Sequence, residues 1–264
     1  MSEAIWQTAI TKVEPNHLVT RGYRQEDLIG SVPFAHVIYL LLRGELPDEK
    51  RGRMMDAMIV ACVDHGVTPP SCLAARAIAS SGVPLPTAVA GGLSAVGDYH
   101  GGAIEECMKI LEDAVSRMRS RGTPIREEAK AVVDEMRLYG RRMPGLGHRI
   151  HTNDPRVGKL FKLAGDLEVA GDHVSMLEAV RDAYTEALGR ELPINVDGAV
   201  AALLADMGFD NRLGKAFFLI GRSAGLVAHV YEEMTRERPM RRIGRMEHEY
   251  DGPAERDLPE RYRR

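Results

Sequence analysis

The chain has 264 residues, 44% of them hydrophobic and 28% charged, with a formal net charge of −3. That length is enough for one large core or two modest ones, and so balanced a charge exerts no global pull on nucleic acid or an anionic membrane. Aromatic residues make up only 5%, against an abundance of Ala, Leu, Met, Glu and Arg, and that mixture favours helices.

Taken in chain order, Thr20-Arg21-Gly22-Tyr23 reads as a turn leading into a short helix at Gln25 to Ile29. Ser31 to Arg43 is a mostly apolar run closed by Gly44, the pattern of a helix with a glycine stop. Asp48 is placed to cap a helix running through Arg51 to Asp64, with Met54, Met55, Met58, Ile59 and Cys62 on one stripe. Ser71 is expected to cap the next, Leu73 to Ser80. Thr87 to Ala95 is small and apolar, as in a tightly packed helix, while Gly101 to Met118 and Ile125 to Tyr139 are amphipathic. Met176 to Leu188, Val196 to Met207 and Lys215 to Met234 continue the helical period. No sustained alternation, no Asn-Gly hairpin and no fixed internal repeat is visible, so the expected class is all-α.

Cys62, Cys72 and Cys107 form no Cys-x-x-Cys pair and no disulfide framework, which points to a reducing compartment. Met1 to Thr11 lacks a basic stretch followed by an apolar one. The longest apolar run, Val37 to Leu42, falls far short of the ~20 residues of a membrane helix. A cytoplasmic protein with no membrane partner is expected.

Gly and Pro gather at three joints, Gly97 to Gly102, Pro144 to Gly147 and Pro193 to Gly198, and each joint carries an ionisable residue: His100, His148 and Asp197. Glycine-rich loops let backbone approach a ligand, and chemistry concentrates on loops held by a rigid scaffold. One carboxylate, several histidines and scattered arginines make a kit for moving a proton beside a carbonyl while holding carboxylates.

The wording of these joints resembles the citrate synthase superfamily. Asp64-His65-Gly66 with Ser71-Cys72-Leu73-Ala74-Ala75-Arg76, Asp98-Tyr99-His100-Gly101-Gly102-Ala103, Asn195-Val196-Asp197-Gly198 and Gly221-Arg222-Ser223-Ala224-Gly225 are each similar to a family segment. The most diagnostic block is Pro144-Gly145-Leu146-Gly147-His148-Arg149 followed by Asp154-Pro155-Arg156. The matches run in family order from about Arg21 to Arg245. Within the superfamily, the compact chain, Asn195 to Gly198 and Leu219 to Ser223 are nearest to the citryl-CoA lyases and the citryl-CoA-cleaving module of ATP-citrate lyase, whereas His100 is a synthase-like feature.

The resemblance implies a large helical domain, residues 1–102 and 205–264, with a smaller helical domain, 103–204, inserted in it. It implies that Asp197 moves the α-proton, His100 hydrogen-bonds the enolate, and His148 serves the oxo-acid oxygen. His65, Arg156 and Arg222 would hold the oxo acid, and Gly145, Leu146, Gly147 and Arg149 would meet coenzyme A. It further implies a homodimer or higher homo-oligomer in which an arginine after the last helix completes the partner's site: Arg245 on alignment, with Arg241 and Arg242 open. The implied activity is cleavage of (S)-citryl-CoA or a close analogue to acetyl-CoA and oxaloacetate. The alternatives are condensation of acetyl-CoA with oxaloacetate or another 2-oxo acid, or an inactive homologue acting as a subunit partner. The thioester is substrate, and no tightly bound cofactor is expected.

Plainer readings stand beside these. His148 and His151 have a spacing a metal could use, but no third ligand fits, so no metal is expected. Asp197 alone could be a helix cap. Gly91, Gly92 and Gly97 do not make a dinucleotide fingerprint. The arginine-rich run Arg236 to Arg245 lacks the interleaved aromatics of a nucleic-acid patch. Pro69-Pro70 replaces a polar pair of the family, which leaves a branched or longer oxo acid open.

Overall fold

The structure, a computed structural model, describes residues 6–147, 154–241 and 251–262. It opens with a small antiparallel sheet in the order β1-β2-β3, formed by β1 (Thr11–Glu14), β2 (His17–Thr20) and β3 (Tyr23–Arg24). Eleven α-helices follow among the described residues: α1 (Gln25–Leu28), α2 (Phe34–Arg43), α3 (Glu49–Cys62), α4 (Pro70–Ala79), α5 (Leu85–Ser94), α6 (Ala103–Arg121), α7 (Ile125–Leu138), α8 (Pro155–Asp166), α9 (Asp172–Leu188), α10 (Val196–Asp206) and α11 (Leu213–Arg236). The class is helical as the composition implies, and the sheet is an addition the sequence reading lacked. Its signal was turn chemistry of an unfamiliar spelling. Arg21 and Gly22 both have positive φ (49° and 89°), the backbone of a tight hairpin turn, and Asn16 (59°) supplies the other turn. Arg21 tolerates the left-handed region because its guanidinium is tied to the Leu41 carbonyl at 2.8 and 3.3 Å.

Local chemistry sets most helix ends. Gly44 closes α2 with φ 89°, its N–H donating to Leu40 O. The Asp48 side chain accepts from Arg51 N at the start of α3. Asp154 accepts from Arg156 N, and Pro155 occupies the first position of α8, a helix the sequence reading did not separate from its motif. One expected cap, Ser71, is corrected, and the plainer reading of Asp197 as a cap falls away. Ser71 lies inside α4, which starts at Pro70 with no side-chain cap, and Asn195 rather than Asp197 caps α10 by accepting from Gly198 N.

Two apolar cores result. The larger joins α2, α3, α6 to α10 and the first half of α11. Its centre is α10, buried along nearly its whole length and packed on α3, α6, α8 and α9. The smaller joins α4, α5 and the second half of α11 through Cys72, Ala75, Ala79, Ala88, Leu226 and Val230. Helix α11 has the 24-residue length of a bilayer-crossing helix, but its buried face carries Arg222 and Glu233 and packs on α3 to α6, as a core helix does. Arg222 therefore sits where the two cores meet.

Candidate active site

The site grows from the C-terminal end of α3. The last carbonyls of a helix have no intrahelical donor and carry the negative end of its dipole. Here two guanidiniums supply donors: Arg156 Nη1 to Ala61 O at 3.2 Å and Arg222 Nε to Cys62 O at 3.1 Å. Arg156 gives its remaining fork to Asp154 at 2.9 and 2.7 Å. Arg222 does not. It is buried, stacks over the Phe218 ring at 4.8 Å, and its two terminal nitrogens have no hydrogen-bond partner among the described residues. Burial pulls its guanidinium pKa down, the direction expected when a cation lacks a full set of partners.

Beyond α3 the chain turns through Asp64, His65 and Gly66. Asp64 accepts from Gly66 N at 3.0 Å and lies 2.9 Å from His229 Nε2 on α11. Burial opposes the Asp64 anion, but these contacts outweigh it and hold the carboxyl below its usual range. The turn that carries His65 is thus pinned from both sides.

His100 sits on a hairpin closed by reciprocal backbone bonds, Gly97 N to His100 O and His100 N to Gly97 O, both 2.9 Å. Its Nε2 lies 2.8 Å from Ser71 Oγ, and its ring meets the Phe218 ring edge-on at 5.5 Å. Ser71 is fully buried.

Asp197 stands in the first turn of α10. The joint before it is laced to the Pro144 to Gly147 loop: Asn195 N donates to Gly145 O at 3.0 Å, Gly147 N to Pro193 O at 2.7 Å, and Asn195 Nδ2 to Gly147 O at 2.7 Å. Contact is so close that a Cβ on Gly198 would overlap the Gly145 carbonyl oxygen. Burial pushes the Asp197 carboxyl up, with Arg156 and Arg222 partly offsetting it. Desolvation thus holds the Asp197 carboxyl above the ordinary value of an exposed aspartate.

These elements enclose a cavity of about 520 Å³ lined by His65, His100, Gly147, Arg156, Asp197 and Arg222, together with Cys62, Tyr99, Asn195, Phe218 and others. The Cys62 thiol is pushed up to about 12 by burial and the nearby Asp197, so it stands protonated and is no nucleophile. Of the other expected residues, Gly145 packs against Gly198 in α10 and Cys107 in α6, and Leu146 faces a second cavity. His148, Arg149 and Arg245 lie outside the described residues, as do His151 and Arg242. Among the described residues no group of three His, Cys, Asp or Glu could hold a metal.

The second cavity, about 670 Å³, shares Gly147 with the first and is ringed by Arg137, Arg141, Arg142 and Arg190. Among the described residues only Arg141 of these four is paired, with Glu106 at 2.5 Å. The buried Tyr184 hydroxyl on its wall has no hydrogen-bond partner among the described residues. Sequence reasoning missed this group. Its only linear signal, Arg137, Arg141 and Arg142 with Arg190 far downstream, looks like ordinary surface charge until α7 and α9 pack together.

The arrangement can hold a carboxylate against Arg222, move a proton at Asp197, and present His100 as a donor on one side of the same cavity. The fold and this cavity define a helical, citrate synthase-like protein. The citrate synthase C-terminal domain profile matches residues 47–246, and the chain belongs to the citrate synthase family. It is 43% identical to the solved structure of citryl-CoA lyase from Hydrogenobacter thermophilus, with a TM-score of 0.89, covering 99% of this chain and 100% of that one. It is 32% identical to citrate synthase 1 of Mycobacterium tuberculosis over 78% of this chain and 48% of the relative. It is 28% identical to ATP-citrate synthase beta chain protein 1 of Oryza sativa over 72% of this chain. The chain spans only 33% of the length of that plant relative.

Proposed function

We propose that this protein is a citryl-CoA lyase-type enzyme, cleaving (S)-citryl-CoA or a close analogue to acetyl-CoA and oxaloacetate. The observation that carries the reading is end-to-end similarity to a citryl-CoA lyase, 43% identical at a TM-score of 0.89 with both chains covered. The cavity fits that chemistry. Arg222, buried and with its terminal nitrogens unpaired among the described residues, would take a carboxylate of the citryl group. Arg156 would add charge from behind, its fork being engaged by Asp154. His148 would accept the proton of the citryl hydroxyl. The carbon–carbon bond then breaks, its electron pair passing to the thioester as an enolate while oxaloacetate forms. Asp197 would return a proton to the enol carbon, giving acetyl-CoA. When Ser71 donates to His100 Nε2, the His100 proton sits on Nδ1, the tautomer able to donate to the enolate oxygen.

Desolvation of Asp197 supports this assignment, because a raised carboxyl pKa favours the protonated form that cleavage uses. The three arginines behind Gly147 that have no ion pair among the described residues support coenzyme A as the substrate handle, since its phosphates need such partners. We also infer a homodimer in which the chain beyond α11 reaches the partner's site, with Arg245 the first arginine to test.

The deciding experiment assays purified protein in both directions: citryl-CoA cleavage, and condensation of acetyl-CoA with oxaloacetate. Cleavage of citryl-CoA with condensation slower is the expected result. Net citrate formation from acetyl-CoA and oxaloacetate would make it a synthase. Absence of both, with no heat of coenzyme A binding in a calorimetric titration, would make it an inactive subunit partner.

A further inference from the structure

The hairpin that fixes His100 also holds an aromatic ring out in water. Tyr99 is fully exposed, the most exposed large hydrophobic side chain of the described residues. The loop that carries it is tied at three points. The Gly97–His100 backbone pair closes it at 2.9 Å on both sides, Gly102 packs so that a Cβ would lie 2.6 Å from Asp98 Cα, and Asp98 is paired with Lys215 at 3.0 Å. The ring is therefore displayed by the backbone.

What surrounds it gives the display a purpose. Tyr99 borders the 520 Å³ cavity and also a neighbouring cavity of about 930 Å³. Arg141, Arg142 and Met143 border that neighbour and the arginine-ringed cavity alike. The three cavities are thus neighbours around residues 140–147, each sharing lining residues with the next, and Tyr99 borders the first two. A thioester placed beside His100 carries a chain of methylenes and amides immediately past its sulfur. An aromatic face covers methylenes, and a phenol edge tolerates the amides between them.

We propose that Tyr99 is a substrate-binding residue whose ring lies along the thioester-bearing arm of the acyl-CoA and binds that arm equally in the ground and transition states. The proposal rests on the acyl-thioester reading given above. Wild-type turnover tests that reading, and the ratio of variant to wild type tests Tyr99. Steady-state kinetics of Tyr99→Ala should show KM for citryl-CoA raised about tenfold, as loss of one stacked ring on a flexible ligand would produce, with kcat within about twofold. Tyr99→Phe should keep KM within about threefold of wild type, because the ring and not the hydroxyl makes the contact. The melting temperature should not move in either variant, since the exposed ring supports nothing. Citryl-N-acetylcysteamine, which keeps the start of the arm and lacks the nucleotide, should show the same factor for Tyr99→Ala.

An unchanged KM in Tyr99→Ala would overturn the assignment, and so would a fall in kcat alone. A KM effect seen with citryl-CoA and absent with the truncated thioester would place the contact at the nucleotide end and overturn it equally. Sedimentation of Tyr99→Ala at a lower mass than wild type would show the ring packing against a second copy instead.

Discussion

At the scale of single residues, the site is a set of charges held in an environment that none of them would choose. Asp197 is desolvated, and although Arg156 and Arg222 favour its anion, burial wins and its carboxyl rises. A carboxyl whose folded pKa lies above its unfolded value destabilises the fold wherever it is ionised. The penalty is absent below the ordinary carboxylate value of 3.8, grows as pH rises toward the folded value, and is complete above it. Asp197→Asn keeps the shape and removes the titration. It should melt higher than wild type at neutral pH, the gap closing as pH falls to the unfolded value, while turnover drops about a thousandfold with coenzyme A binding retained. Melting scans across pH, beside the kinetic assay, check both halves. Full activity in Asp197→Asn would remove Asp197 from the chemistry. His100→Ala should cut turnover by ~10² or more as an enolate donor. Ser71→Ala, which only unfastens the His100 ring, should cost roughly tenfold in kcat, the worth of one hydrogen bond to a ring that must hold one tautomer. If His100→Ala leaves cleavage intact, the donor is elsewhere, and His65 is the next side chain on the same cavity wall.

At the scale of elements, function depends on how closely two backbones approach. The Pro144 to Gly147 loop and the start of α10 share three hydrogen bonds and leave no room for a side chain at Gly198. Gly198→Ala must push them apart, costing about 1–3 kcal/mol and moving Asp197 relative to the loop, with turnover falling ~10². Gly158→Ala is the control. Nothing lies within 4 Å of an added Cβ there, so this helical position should gain about 0.5–1 kcal/mol without touching kinetics. Thermal denaturation of the two variants side by side reads the difference. The same contacts show what a linear reading can and cannot recover. Periodicity and caps such as Asp48 and Gly44 were visible because they act within one turn of helix. Asp154-Pro155 reads as part of a motif although it is the first turn of α8, because a function-like spelling hides an ordinary helix start. Ser71 looked like a cap because serine usually is one; its true partner, His100, is 29 residues away and meets it only when α4 docks beside the hairpin. The arginine cavity was invisible for the same reason, its members coming from α7, the following loop and the segment after α9.

At the scale of the molecule, the smaller core is finished on one side only. Helices α4, α5 and α11 bury Ala75, Ala88 and Leu226 between them, yet Leu73 on α4 and Val227, Tyr231 and Met234 on α11 remain exposed. Positions 227, 231 and 234 fall on one face of α11, so these side chains form a stripe rather than scatter. Where α11 ends, the buried Glu233 accepts from Arg76 Nε at 2.7 Å and from Arg241 Nη1 at 2.6 Å, and Met240 N donates to Ser80 O at 2.7 Å. The first residues after α11, through Arg241, are therefore strapped to the end of α4. A second copy seated on that stripe would receive the arginines that follow Arg241, which joins the assembly and the site in one arrangement. Charge placed in the stripe tests this without touching the cavity, since Leu73 and Tyr231 line no part of it. Leu73→Asp with Tyr231→Asp should leave helical circular dichroism intact, halve the sedimenting mass and abolish cleavage, because each site would lose the arginine its partner supplies. A variant that sediments as a monomer and still turns over at the wild-type rate would show that the site is complete within one chain. One that stays assembled would move the interface to another face.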